Sequence, residues 1–161
     1  MIAAAIIKQL RDLESGPLWL DEHFHKKLDD LTGEQAFRRP VPGLHSVAEL
    51  TWHLSVWIRA CMDRMQGISN DLTDNSPEDW KAVDELRLIG WDRLKTDFFA
   101  IRKELVQLAE QADEAFLRRQ YLESGFTNSD ILFGLIQHDA YHMGQMGITI
   151  KFLRNTDQIV K

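Results

Sequence analysis

At 161 residues the chain is long enough to bury one core of several helices without disulfides, and its single cysteine, Cys61, has no internal partner. A formal charge of −6, from 19 basic and 25 acidic residues mixed along the chain, leaves no basic stripe to neutralise a phosphate backbone and excludes nucleic acid as a direct partner. No apolar run approaches the roughly 20 residues of a membrane span, and the opening Ile2 to Ile7 stretch meets Lys8 too soon for a signal peptide. The expectation is one cytoplasmic domain over residues 1–161.

Glycine and proline are few and clustered between segments rich in Leu, Ala, Glu, Lys and Arg, a pattern that predicts helices joined by short loops. The first helix is predicted over 2–30, bent at Gly16-Pro17. Thr32-Gly-Glu-Gln35 is a capping box that opens a short turn, and Pro40-Val-Pro-Gly-Leu-His45 reads as a stiff extended connector. Ser46-Val-Ala-Glu49 is a second box and opens a helix over 46–66, with Leu50, Leu54, Trp57, Cys61 and Met65 on its core stripe. A polar loop from Gly67 to Asn75 leads to Ser76-Pro-Glu-Asp79, a box with proline at the first helical position, which opens a long helix over 77–111. Thr127-Asn-Ser-Asp130 opens the fourth helix, over 128–154, where Ile131, Leu135, His138, His142 and Gln145 follow one line. No strand pattern competes.

His138 and His142, four residues apart on a helix, project from one face about one turn apart. A lone histidine on an apolar face is usually a hydrogen-bonded core residue. Two on one inward face are desolvated twice, and a cation that accepts both lone pairs offsets that cost. His53, on the core stripe of the second helix, can join them, since facing helices commonly assemble such sites. Three imidazoles with no compulsory fourth protein ligand leave positions for water or substrate, and imidazole suits zinc, nickel and ferrous iron alike. The pattern lacks the glutamate of a His-Glu-x-x-His zincin, position 139 being Asp. Asp139 lies about 100° around the helix from His138 and faces solvent or another helix.

Gln145 and Tyr141 lie near the same face, with Tyr141 read as core packing. His23 and His25, two apart, point to nearly opposite sides of a helix and do not pair; His45, just before a cap, reads as a solvated loop residue. Cys61 is two turns beyond His53 and rotated away, neither ligand nor nucleophile. Trp52, Trp57, Trp80 and Trp91 fill the core, and Trp57, one turn from His53, can wall a substrate pocket.

Leu31-Thr-Gly-Glu-Gln35, Pro40-Val-Pro-Gly-Leu-His-Ser-Val-Ala-Glu-Leu-Thr-Trp-His53 with Trp57 following, and His138-Asp-Ala-Tyr-His-Met-Gly-Gln145 occur in an order and spacing that resembles the DinB-like bacterial proteins, metal-binding four-helix bundles grouped with bacillithiol- and mycothiol-dependent transferases. The resemblance runs nearly end to end. It implies an all-α, up-down-down-up four-helix bundle, commonly a homodimer, with a divalent metal held by His53, His138 and His142. For the reaction on a small-molecule substrate it implies less: some members of the family resemble thiol S-transferases or isomerases acting with a low-molecular-weight thiol, others metal-dependent hydrolases, and many have no known reaction. Arg38, Arg39 and Arg59 are the candidates to recognise an acidic thiol, although each also reads as a solvated surface charge. The competing readings are a non-catalytic helical bundle that metal merely stabilises, and a small-molecule binding module. The Ile2 to Ile7 stretch packs either in the core or in a dimer contact.

Overall fold

The computed structural model describes the backbone of residues 2–159 and the side chains of residues 2–155; the predicted domain limits at 1 and 161 fall outside them. Among the described residues the chain is all-helical, with eight helices and no strand. A lone antiparallel bridge joins Gln120 to Thr127.

Helix α1 (Ile2–Ser15) ends where Pro17 follows Gly16, because proline has no N–H and disfavours helical geometry in the residue before it. The predicted helix over 2–30 is therefore broken instead of bent. Gly16 N donates to Asp12 O at 3.0 Å, the chain turns through Asp21 at φ 52°, and α2 (Phe24–Leu28) starts afresh with His23 Nδ1 accepting from Lys26 N. The Thr32 and Ser46 boxes form as the sequence predicts. The first caps a short helix, α3 (Gly33–Phe37), where only a turn was expected; the second caps α4 (Val47–Met65).

The predicted helix over 77–111 is the larger correction. Residues 76–82 carry no helix, only a turn over 77–79, and helix resumes as α5 (Val83–Ile89) and α6 (Trp91–Gln111). Gly90 separates these two at φ 90° and ψ 146°, a conformation open to glycine alone. Ser76 caps nothing there: its Oγ accepts from Thr73 N within the loop. Asp79, the expected partner in that box, is instead drawn under α4, where Trp57 Nε1 donates to its Oδ1 at 2.7 Å. Tertiary burial has overridden a local cap worth only about 1 kcal/mol. After α7 (Glu114–Arg118), the Thr127 and Asp130 box forms and starts α8 (Asn128–Ile159).

The four long helices meet in a ring, α1 against α6, α6 against α4, α4 against α8 and α8 against α1. Ile6 and Ile7 of the opening stretch pack in the core. One apolar cluster gathers Phe24, Leu50, Leu54, Trp91, Phe98 and Met146 beside the short helices; the other gathers Ile6, Ile58, Met62, Leu105 and Leu132. Each such side chain contributes roughly 1.5–3 kcal/mol on burial. Within this apolar interior lies one ion pair, Arg102 of α6 and Asp139 of α8, 2.7 Å apart with both side chains essentially inaccessible. Asp139 thus faces another helix, one of the two orientations predicted for it.

Candidate metal centre

Because α4 and α8 pack face to face, the stripe that carries His53 meets the stripe that carries His138 and His142. One nitrogen from each of the three rings falls in a group whose members lie within 4.8 Å of one another. His53 Nε2 and His138 Nε2 are 3.1 Å apart. The ring of His142 packs 4.5 Å from that of His138 and 4.7 Å from that of His53, centroid to centroid.

Burial and mutual repulsion keep this cluster uncharged. Desolvation, reinforced by the neighbouring imidazoles, pushes His138 down to about 4. Desolvation also lowers His53 and His142, against the raising influence of Asp79 on His53 and of Gln145 and Asp139 on His142. Three neutral imidazoles at neutral pH are the protonation state a metal requires.

The outer edges of two rings are committed elsewhere. His142 Nδ1 lies 2.8 Å from Gln145 Oε1; an amide oxygen only accepts, so Nδ1 carries the proton and Nε2 keeps its lone pair. His53 Nδ1 lies 2.7 Å from Asp79 Oδ1. The carboxylate oxygen is off the ring N–H axis, leaving Nδ1 without an aligned hydrogen bond, and the attraction at this ring orientation is Coulombic. Such outer partners are the usual companions of metal-ligating histidines.

The residues fit a divalent cation. Ligand nitrogens about 2.0–2.1 Å from a tetrahedral metal stand roughly 3.4 Å apart, close to the observed Nε2 separation. The alternative for two imidazole nitrogens at that distance is a shared proton, which gives the third ring nothing.

Beside the cluster lies a cavity of about 490 Å³, lined by His53 and His138 and with Trp57, Trp80, Ile131 and Leu135 among its walls. Trp57 therefore walls a pocket, as its spacing suggested. A larger groove of about 730 Å³ between α4, α6 and the loop after α4 holds Arg59 and Glu104 but no histidine; the smaller cavity is the one with chemistry at its wall.

The other sequence candidates fall mostly outside. Arg39 is paired with Glu49, Arg59 with Glu104 at 2.7 Å, and Arg38 reaches Leu153 O at 3.4 Å; none of the three lines the cavity. Tyr141, expected in the core, is 65 % exposed and lays its ring against the edge of His142, since its position turns it to the outer side of α8. His45 is less free than a solvated loop residue, for it stacks on Trp80 with ring centroids 3.7 Å apart. His25 stacks on Phe99, away from the site. Cys61 lines the same cavity, and its thiol is pushed up by burial, which keeps it a poor nucleophile.

Sequence reasoning missed Asp79 and Trp80. Trp80 stacks on His53 at 4.0 Å and 8°, completing a His45, Trp80, His53 stack. Their one sequence signal, an acidic residue three places after a serine, is equally the signature of a helix cap, and it pointed to the wrong structure.

No curated protein and no solved structure matches the chain. The sequence model of the DinB superfamily matches residues 20–146, a span that includes His53, His138 and His142, and the chain accordingly belongs to the DinB superfamily, a family of divalent-metal-binding proteins.

Proposed function

We propose that this chain is a metal-dependent enzyme in which His53, His138 and His142 hold one divalent ion, of zinc, nickel or iron, at the wall of the 490 Å³ cavity. The observation that carries the reading is the convergence of three neutral imidazoles, two of them with Nδ1 turned to outer partners, beside open space. A bundle using metal only for stability has no need of that space, because structural sites are closed by a fourth ligand. When bound, the metal supplies Lewis-acid activation of a water or a thiol for attack on a small electrophile.

The chain's own residues do the rest. Trp57, Trp80, Ile131 and Leu135 form apolar walls that desolvate a small substrate and hold it against the imidazoles. Gln145 and Asp79 keep two rings oriented. The charged lining is Asp74 and Asp79, with no lysine or arginine among the described residues. An acidic thiol cofactor finds no cationic partner there, which favours hydrolase-like chemistry over S-transfer with such a thiol.

The same reading includes a single domain folded as an up-down-down-up four-helix bundle. In support, Arg59 of α4 meets Glu104 of α6 while Ser55 and Asp97 share a groove earlier along both, so these helices run in the same sense. Arg11 meets Glu110 and Glu14 meets Arg102, so α1 and α6 run in opposite senses. A cytoplasmic homodimer completes it, with Tyr141, Ile148 and Phe152 exposed along the outer side of α8; no helix among the described residues is long and apolar enough to cross a membrane.

The test is metal content by plasma mass spectrometry on tag-free protein, with His138→Ala in parallel, followed by a screen of activated esters and amides with and without added thiol. The expected result is about one divalent ion per chain, lost in the variant, with turnover that needs the metal. Protein that takes up no zinc, nickel or ferrous iron overturns the reading.

A further inference from the structure

The segment between α4 and α5 has little regular structure, yet it is tied to α4 along its length. Arg64 Nε donates to Asn70 O at 2.9 Å, Trp52 Nε1 to Glu78 O at 2.7 Å, and Trp57 Nε1 to Asp79 Oδ1 at 2.7 Å. These anchors carry Asp79 and Trp80 onto His53. Asp79 is only 3 % exposed, a costly place for a carboxylate. One indole N–H is a modest return for that burial, and the other group within reach of the same oxygen is His53 Nδ1, at 2.7 Å.

We propose that Asp79 is a positioning residue for the metal ligand His53, and that Asp79 with Trp80 forms an outer clamp through which the segment over 70–82 is coupled to metal binding. This rests on the three-histidine reading above. A small ring rotation brings the His53 N–H onto the carboxylate, which fixes the tautomer with its proton on Nδ1 and its lone pair on Nε2, the atom that faces His138. Trp80, parallel to the imidazole within 8° and 4.0 Å from it, limits how far the ring can turn. Asp79 is not itself a ligand, because it meets His53 at Nδ1 while the imidazoles converge through the other edge. His142 takes its outer partner, Gln145, from its own helix. His53 takes its partner from a loop, so seating the metal and ordering that loop stabilise each other.

Cobalt(II) is the probe, since its absorption reports ligand number as well as occupancy. Wild-type, Asp79→Ala and Asp79→Asn proteins are titrated with it in competition with a chelator, with far-ultraviolet circular dichroism showing that each is folded. Hydrogen exchange is followed across residues 70–82 with and without cobalt. The expected result is a loss of affinity of roughly 10–100-fold in Asp79→Ala and a smaller loss in Asp79→Asn, which keeps an acceptor for both His53 and Trp57. Stoichiometry and the shape of the spectrum stay unchanged, and cobalt slows exchange over 70–82 in the wild type but not in Asp79→Ala. Wild-type affinity in both variants overturns the positioning role alone. A spectrum showing one ligand fewer in Asp79→Ala overturns it in favour of direct coordination. Wild-type protein that takes up no cobalt sinks the three-histidine reading itself.

Discussion

Arg102 and Asp139 offer the sharpest test of how this interior is held together. Arg102 is packed between aromatic rings, its guanidinium carbon 4.4 Å from the centroid of Phe24 and 5.3 Å from that of Phe98. Beyond the 2.7 Å bond to Asp139, its polar contacts are Leu10 O at 3.4 Å and Glu14 at 4.0 Å. Asp139 Oδ1 has no hydrogen-bond partner among the described residues. Removing either charge strands the other in an apolar medium, which costs about 3–5 kcal/mol. Removing both strands nothing. Arg102→Met and Asp139→Leu should therefore each lose about 3–5 kcal/mol, whereas the double variant should return to within about 1 kcal/mol of the wild type or exceed it. Each kcal/mol moves the midpoint by about 2–4 °C at this chain length, so the single variants melt roughly 6–20 °C early.

The sign of the pH dependence adds a second check. Burial raises the Asp139 carboxyl above its ordinary value, against the lowering pull of Arg102. A carboxyl whose folded pKa exceeds its unfolded one, near 3.9, contributes most below the unfolded value and loses that contribution as pH rises through the folded one. The deficit of Arg102→Met should thus shrink on acidification, since a protonated Asp139 needs no counter-ion. The assay is urea unfolding of the four proteins at pH 7 and at pH 4.5. Single-variant losses that simply add in the double, to within about 0.5 kcal/mol, would refute the reasoning.

Glu49 should behave in the opposite sense. Burial raises its carboxyl, but Arg39 and the Ser46 backbone and hydroxyl outweigh burial and hold it at about 2, from an ordinary 4.5. Its contribution is complete above about 4.5 and lost as pH falls through about 2; with the Arg39 partner half-exposed to screening solvent, it is worth roughly 1–3 kcal/mol. Glu49→Gln should lose about that much at pH 7, with the gap closing in acid, and a deficit independent of pH in urea titrations would contradict it. Gly134 sits mid-helix on the cavity wall with nothing within 4 Å of where a Cβ would stand. Gly134→Ala should gain about 1 kcal/mol of stability from helix propensity while narrowing the cavity, visible as a higher melting point beside a raised KM for bulky substrates. Gly90→Ala should cost about 1–3 kcal/mol, because alanine is strained at φ 90° and ψ 146°; unchanged unfolding would mean that the junction of α5 and α6 relaxes freely.

What the sequence made legible was what repeats at helical spacing. Leu50, Leu54, Cys61 and Met65 are buried on the predicted stripe of α4, and the His138 and His142 pair faces α4 because its four-residue spacing holds both rings on one side. Three of the four predicted capping boxes form, even that of Ser46 and Glu49, where the buried Glu49 holds Arg39 without leaving the helix end. The fourth failed because Asp79 has two competing uses, and its sequence neighbours cannot report the distant Trp57 and His53 that decide between them. Arg102 was legible in principle: a charge four residues after Phe98 and three before Leu105 interrupts an apolar stripe, and a charge there implies a buried counter-charge.

That counter-charge also accounts for the aim of the histidines. Asp139 lies about 100° around α8 from His138, so the bond from Arg102 fixes the rotation of α8 about its own axis from a face beside the one that lines the cavity. Were α8 free to roll by even a third of that angle, His138 and His142 would leave the face shared with His53, and no adjustment of the loop at Asp79 could follow them. The three histidines are thus braced by a buried ion pair that sets the helix and, on the proposal above, by an outer carboxylate that sets one ring. The two braces should fail differently. Asp139→Leu should weaken cobalt affinity together with global stability, while Asp79→Ala should weaken affinity with the greater part of the stability intact.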